Sequence, residues 1–305
     1  GRIIMNALYD AIRTLFVDAA YEGTINFMFS YEFVVNGFLC ALIVGPLLGA
    51  VGTMVVIKRM AFFSQAVGNA ALTGVAIGVI LGESYTAPYV SMFSFCILFG
   101  LLLNFTRNRT KMSSDTLIGV FLSISLAVGA TALLFVSAKV NTHILDTVMF
   151  GSILTVNNLD MNVLLVTALI TAAVALPLYN QMLLASLNPN LAHVRGVNVH
   201  LLEYVFVLLI TILTVACVKI VGAVLVEALL LIPAAAARNL NTSIRGFVLW
   251  SVIFSTFSCV FGVYAPMAYD LPIPSGGAII LTAAIIFLAT LLIRMAMPRF
   301  REAAF

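Results

Sequence analysis

From Tyr31 to Met295 the chain is a succession of long apolar runs separated by short polar breaks. The runs cover Val34–Ile57, Ala61–Leu81, Tyr89–Phe105, Thr116–Val136, Met161–Leu184, Leu201–Val218, Val221–Ala237, Phe247–Pro266 and Ala278–Met295. Crossing a hydrocarbon core of roughly 30 Å takes about 20 helical residues, and these runs have that length. They are too continuous for barrel strands, which alternate with period two. The pattern predicts an all-α integral membrane protein with eight or nine transmembrane helices. Only Lys219 and Ile220 separate the sixth and seventh runs, so those two could be one broken element. Residues 31–305 then form a single transmembrane domain, with residues 1–30 outside it.

The first 30 residues follow another pattern. Leu8, Ile12, Leu15 and Phe16 recur at helical spacing, with Asp10, Arg13 and Asp18 elsewhere. This predicts an amphipathic helix lying in the membrane interface. The segment lacks the basic start, apolar core and small-residue cleavage site of a signal peptide.

Composition agrees with this class: charged residues make up 9% of the chain, and the mean hydropathy is +1.15. The positions of the charges add an orientation. Lys58, Arg59, Arg107, Arg109, Lys111, Arg195, Arg238, Arg245, Arg294, Arg299 and Arg301 all fall on one side of the span map. By the positive-inside rule that side, with the C-terminus, faces the cytoplasm of a bacterial inner membrane. The opposite side carries Glu83, Asp146, Asp160 and Asp270. An acidic outer rim would concentrate cations; equally, carboxylates collect where lysine is excluded. The net charge of +3 is spread over membrane loops, and no nucleic-acid partner is expected.

Catalytic signatures are missing. The chain has no H-E-x-x-H, no G-x-S-x-G and no phosphate-binding G-x-x-x-x-G-K-[ST]. Cys40, Cys96, Cys217 and Cys259 lie inside predicted spans without metal-ligand spacing and read as packing residues. A transporter or channel subunit that binds no cofactor of its own is the expectation.

One cytoplasmic loop carries start and stop signals of its own. In the stretch at about 187–197, Asn188 is a good N-cap, Pro189 suits the first helical position and Gly196 suits the residue just past the end. This predicts a two-turn helix, displaying Leu191, Val194 and Arg195, that either docks a partner or merely connects two spans.

Four stretches then carry a resemblance: Lys58–Gly78 (KRMAFFSQAVGNAALTGVAIG), Ser114–Gly119 (SDTLIG), the capped loop ending Gly196–Val199 (GVNV) and Val221–Arg238 (VGAVLVEALLLIPAAAAR). With Asp270–Gly276 (DLPIPSG) before the last span, the chain from about residue 34 onward resembles the permease family of ATP-binding-cassette (ABC) importers for zinc, manganese and iron. The resemblance implies that family's fold and a homodimer or a pair of related permeases. It also implies two cytoplasmic ATPases that bind ATP and Mg, and an extracytoplasmic solute-binding protein. The capped loop would be the coupling helix, and the cargo a divalent metal or a metal chelate.

Gln65, Asn69 and Thr73 recur every four residues and so share one face of the second span. Gly74 and Gly78 on that span, and Gly45 and Gly49 on the first, have the G-x-x-x-G spacing of close helix contact. Glu227 is the one carboxylate well inside a span. Near the bilayer centre such a group costs about 2.5–3.5 kcal/mol on insertion scales, so it needs a compensating partner. Facing the amides of Gln65 and Asn69, Glu227 would serve as an oxygen ligand for a metal in transit; as a protonated carboxyl it would be structural glue. The resembled family usually carries Asp and His where this chain has Gln65 and Asn69. Glu227 then either carries the ion site alone, or the cargo is larger and less charged. An ion-coupled secondary transporter with Glu227 as proton carrier is the remaining alternative.

Overall fold

A computed structural model describes residues 2–25, 27–83, 88–137 and 153–297. Their helices are α1 (Arg2–Tyr21), α2 (Glu32–Ile57), α3 (Phe63–Ile80), α4 (Tyr89–Thr110), α5 (Ser114–Ser137), α6 (Asn158–Leu187), α7 (Pro189–Val194), α8 (Val199–Val221), α9 (Ala223–Leu240), α10 (Ile244–Ala268) and α11 (Ser275–Ala296). Among the described residues nine of these, α2–α6 and α8–α11, are long and apolar enough to cross a bilayer. The sixth and seventh runs are separate helices. Their break falls at Gly222 rather than at Lys219–Ile220, which are helical. Gly222 has φ +86°, a left-handed conformation that side chains with a Cβ rarely adopt, so α8 stops there and α9 starts one residue on. Most of the Ser137–Asp160 connection lies outside the described residues; its described part holds one 3-10 turn, Ile153–Thr155, and the first residues of α6. Arg299 and Arg301 also lie outside them.

The chain divides into two compact units. One contains Thr53–Gly151 and Thr167–Glu227. Here α3 is the central helix, and it is slim because small residues line it. A Cβ at Gly74 would meet the Met92 backbone of α4 at 3.1 Å, and one at Gly78 would strike Ser91. Thr73 packs against α5, where Gly129 makes room for its hydroxyl. Farther along α4, Gly100 lets α8 approach through Thr211. Close packing of this kind replaces the hydrophobic drive that lipid cannot provide.

The other unit contains Gly1–Gly52, Ser152–Val166 and Ala228–Phe305. Gly45 and Gly49 of α2 lie against α10: a Cβ at Gly45 would sit 2.8 Å from Thr256 Cα, and one at Gly49 2.8 Å from Ser255 Cβ. Ser251 donates to the Gly49 carbonyl at 2.7 Å, so the close approach also satisfies a buried hydroxyl. The G-x-x-x-G spacings read from the sequence are therefore helix contacts, with α10 and α4 as their partners. Asn239 of α9 donates to Thr290 of α11 at 3.2 Å and accepts from Arg294 at 3.3 Å.

α1 is a full helix of 20 residues. It is tied to two of the long helices, because Arg13 is buried and bonds Asn36 of α2 and Asn158 of α6.

Candidate functional site

The candidate pathway residues belong to α3 and the start of α9. These two helices touch: a Cβ at Gly68 would lie 2.9 Å from Ala223 Cβ and 4.0 Å from Val218 Cγ2. Asn69 follows Gly68 directly, and Glu227 lies one turn beyond Ala223, about 6 Å along the axis. α9 therefore begins against the middle of α3, and Glu227 sits in its second turn. Gln65, Asn69 and Glu227 are all half-buried, so each polar group keeps an open side.

Thr73 does not share that environment. It is fully buried, and its hydroxyl reaches the carbonyls of Asn69 at 3.2 Å and Ser125 at 3.1 Å. The four-residue stripe drifts by about 40° per step, because 3.6 residues make a turn. After two steps Thr73 has rotated away from Gln65 and into α5.

Among the described residues no three His, Cys, Asp or Glu side chains gather at one place. What the Glu227 region offers is one carboxylate, with two amides on the neighbouring helix: oxygen donors that suit a hard cation more than a soft one.

The acidic positions sort differently from a continuous rim. Glu83 accepts from the backbone N–H groups of Val90 at 3.1 Å and Ser91 at 3.2 Å, and from the Ser91 hydroxyl. It is a carboxylate placed on the unpaired donors at the start of α4. Asp160 is buried and accepts from the Asn157 N–H at 3.2 Å, in the first turn of α6. Asp270 is exposed, with φ +49°. Asp146 lies outside the described residues.

The capped loop forms as its sequence specifies. Asn188 Oδ1 accepts from Leu191 N–H at 3.1 Å, and Pro189 opens α7. At the other end Gly196 adopts φ +74°. Its N–H bonds the His193 carbonyl, while the Val197 N–H bonds the Ala192 carbonyl, both at 3.0 Å. That pair of bonds is the Schellman motif. Asn198 then caps α8 by accepting from Leu201 N–H at 3.2 Å, so the chain between the helices has almost no freedom. Ala192 faces inward, while Leu191 and Val194 are 42% and 84% exposed and Arg195 is exposed.

Beside this helix lies a cluster that the sequence reading missed. Arg107, at the end of α4, pairs with Glu203 of α8 at 3.3 Å and contacts the Met60 sulfur at 3.7 Å. Lys58 lies over the Phe206 ring at 4.8 Å. Burial pushes the Lys58 amine down to about 8; Glu203 pulls it back up, and Arg107 lowers it further. Lys58 and Arg107 carried only an orientation signal in the sequence. Glu203, an acid four residues after the well-capped start of α8 and among basic loop ends, was the available clue.

Comparison with known proteins agrees with this architecture. Residues 30–294 match the ABC 3 transport family. The chain is 30% identical over 263 residues to the manganese import system permease protein ScaB of Streptococcus gordonii, covering 86% of this chain and 92% of that one. It is 27% identical over 259 residues to the high-affinity zinc uptake system membrane protein ZnuB of Haemophilus influenzae, covering 85% and 95%. Among solved structures, a chain of PsaBC from Streptococcus pneumoniae in complex with Fab superposes with a TM-score of 0.76 at 26% identity, over 95% of this chain and 98% of that one. An inward-facing putative metal-chelate type ABC transporter shares the fold, with a TM-score of 0.66 at 20% identity over 85% of each chain. Nine long apolar helices among the described residues and a family match over nearly the whole chain converge: this chain belongs to the ABC 3 transport family, as a multi-pass membrane permease.

Proposed function

We propose that this chain is the membrane subunit of an ATP-driven importer that moves a divalent metal ion, such as manganese, zinc or iron, across a bacterial inner membrane. Two copies, or this chain and a related permease, form the translocating pair. A cytoplasmic ATPase binds ATP and Mg and hydrolyses the nucleotide, and an extracytoplasmic solute-binding protein delivers the cargo. The permease performs no covalent chemistry. It alternates between outward- and inward-facing states while the ion passes Glu227, with the Gln65 and Asn69 amides as neutral oxygen donors.

The observation that carries this reading is α7, whose two ends are fixed by hydrogen bonds while two apolar side chains project from it. A helix so short is unstable alone, and exposing valine and leucine on it is sensible where a partner covers them. Docking would take the C-terminus and this loop to the cytoplasmic side.

Replacing Val194 or Leu191 with Asp tests it. Burying such a side chain contributes about 1.5–3 kcal/mol, and a carboxylate in its place adds a desolvation cost. ATPase affinity should therefore fall by at least about tenfold to a hundredfold, while the permease still inserts and folds. Recovery of an intact, transport-active complex from both variants would overturn the assignment.

A metal chelate is the second reading, and the observation favouring it is the pair Gln65 and Asn69 beside a lone carboxylate. Such a site carries less charge than a naked divalent ion prefers.

A further inference from the structure

α1 separates its side chains into three rows. Tyr9, Arg13 and Ala20 are buried against the rest of the unit. Asp10 and Thr14 occupy a polar exposed row, where Asp10 holds Arg13 at 3.2 Å. Ile4, Leu8, Ala11 and Leu15 recur at four-, three- and four-residue spacing, which makes one stripe on an α-helix. That stripe is bare: Ile4, Leu8 and Leu15 are 76%, 55% and 69% exposed. A helix with one protein-facing row needs only two kinds of surface. The third row implies a third environment.

The bonds of the buried row fix where that environment lies. Arg13 Nε donates to Asn36 Oδ1 at 2.8 Å, and Nη2 donates to Asn158 Oδ1. Asn36 is the fifth residue of α2 and Asn158 the first of α6, so the anchor sits within about one helical turn, roughly 6 Å, of both span ends. A chain of rings adds a second tie: Phe16 stacks on Phe29 at 6.0 Å, and Phe29 contacts Phe38 of α2 at 4.9 Å. α1 is therefore held level with the first two turns of a membrane span, where headgroups give way to acyl chains. Tyr21, Phe27, Tyr31 and Phe33 are exposed at the same end, as expected of an aromatic belt.

We propose that the Ile4–Leu8–Ala11–Leu15 stripe of α1 is a lipid-binding surface, inserted at the acyl boundary of the leaflet that meets the start of α2, and that Arg13 bolts it to α2 and α6. The occupant is lipid rather than a protein because the stripe continues the apolar surface of the spans at their own depth, and its four residues carry no polar or charged group to orient a partner; exposed Asp18, the next position at this spacing, ends it. It takes the neutral part of the bilayer. The one arginine in the middle of the helix is buried, and Asp10 and Asp18 are exposed, so anionic headgroups would gain nothing. α1 thus fixes how deeply the outer ends of two spans sit, a role separate from the cargo path and from α7.

Site-directed spin labelling of the full chain in phosphatidylcholine nanodiscs tests it. Labels go on Leu8→Cys and Leu15→Cys, with Thr14→Cys as the reference; the four native cysteines are buried. Collision with dissolved oxygen relative to a water-soluble nickel chelate should be several-fold higher at positions 8 and 15 than at 14. Adding phosphatidylglycerol should leave that ratio unchanged. Equal nickel collision at all three positions would put α1 in water and overturn the proposal. Protection of positions 8 and 15 from both reagents would also overturn it, by showing a second copy or another protein on the stripe. Neither outcome depends on transport, so the result is distinct from the fate of the importer reading.

Discussion

Replacing Gly52 with alanine asks how close two transmembrane helices can come before backbone stops them. The new methyl carbon would strike the Leu230 carbonyl oxygen and lie 2.9 Å from the carbonyl carbon. Carbon atoms prefer roughly 3.5–4.0 Å, so α2 and α9 must part by about 1 Å. Both obstructing atoms are backbone, and no change of rotamer relieves them. Overpacking of a core typically costs about 1–3 kcal/mol, and a rigid obstacle belongs at the upper end. Alanine recovers roughly 1 kcal/mol of helix propensity over glycine. The net expectation is a loss of about 2 kcal/mol, a sizeable part of the roughly 5–15 kcal/mol that holds a folded protein together. Gly119→Ala is the matched control: it is also a helical glycine, but nothing lies within 4 Å of its Cβ position. It should be neutral or stabilise by up to about 1 kcal/mol. Thermal unfolding of both variants in the same detergent, followed by loss of the monodisperse chromatographic peak, gives the comparison. If Gly52→Ala melts with or above Gly119→Ala, the close approach of α2 to α9 is not what limits stability there.

Glu227→Gln should abolish uptake of radiolabelled ion in proteoliposomes while assembly persists, whereas Thr73→Val should leave uptake intact and cost only about 1 kcal/mol for its buried hydrogen bond. Tolerance of Glu227→Gln for the free ion would remove Glu227 from the path. Lys58 predicts a pH dependence: burial lowers its amine from 10.5 to about 8, so between those values the unfolded chain binds the extra proton and stability rises with pH. The shift corresponds to at most about 3.5 kcal/mol, since one pH unit is about 1.4 kcal/mol. Melting curves of wild type and Lys58→Met should differ in slope across that window, and parallel curves would show that the amine keeps its ordinary titration.

Much of this architecture is written in local signals. A run of twenty apolar residues can only be satisfied by a helix in lipid, and the start and stop of α7 follow from Asn188, Pro189 and Gly196 acting on their nearest backbone groups. Tertiary choices are less legible. Hydropathy could not place the α8–α9 break at Gly222, because the backbone torsion there leaves no trace in apolar content. Spacing grouped Thr73 with Gln65 and Asn69, but helical drift turns it into α5. Arg13 read as a polar-face residue and is instead the buried bolt of α1, since only the fold brings Asn36 and Asn158 beside it. Glu83 and Asp160 read as rim charges; the sequence did not show that the starts of α4 and α6 would claim their oxygens. The Arg107–Glu203 pair spans nearly a hundred residues and has no local signature at all.

α6 has 30 residues and is therefore about 45 Å long, against a hydrocarbon thickness of about 30 Å. Its first residue is held by Arg13 near the start of α2, so with that end fixed the surplus of about 15 Å falls at the far end or is absorbed as tilt. α7 follows immediately from that far end. The mismatch between helix and bilayer thus sets how far the short helix stands above the membrane plane. Acyl-chain length becomes a physical input to the machine: a thicker bilayer draws α7 toward the headgroups, and a thinner one lifts it away or tilts α6.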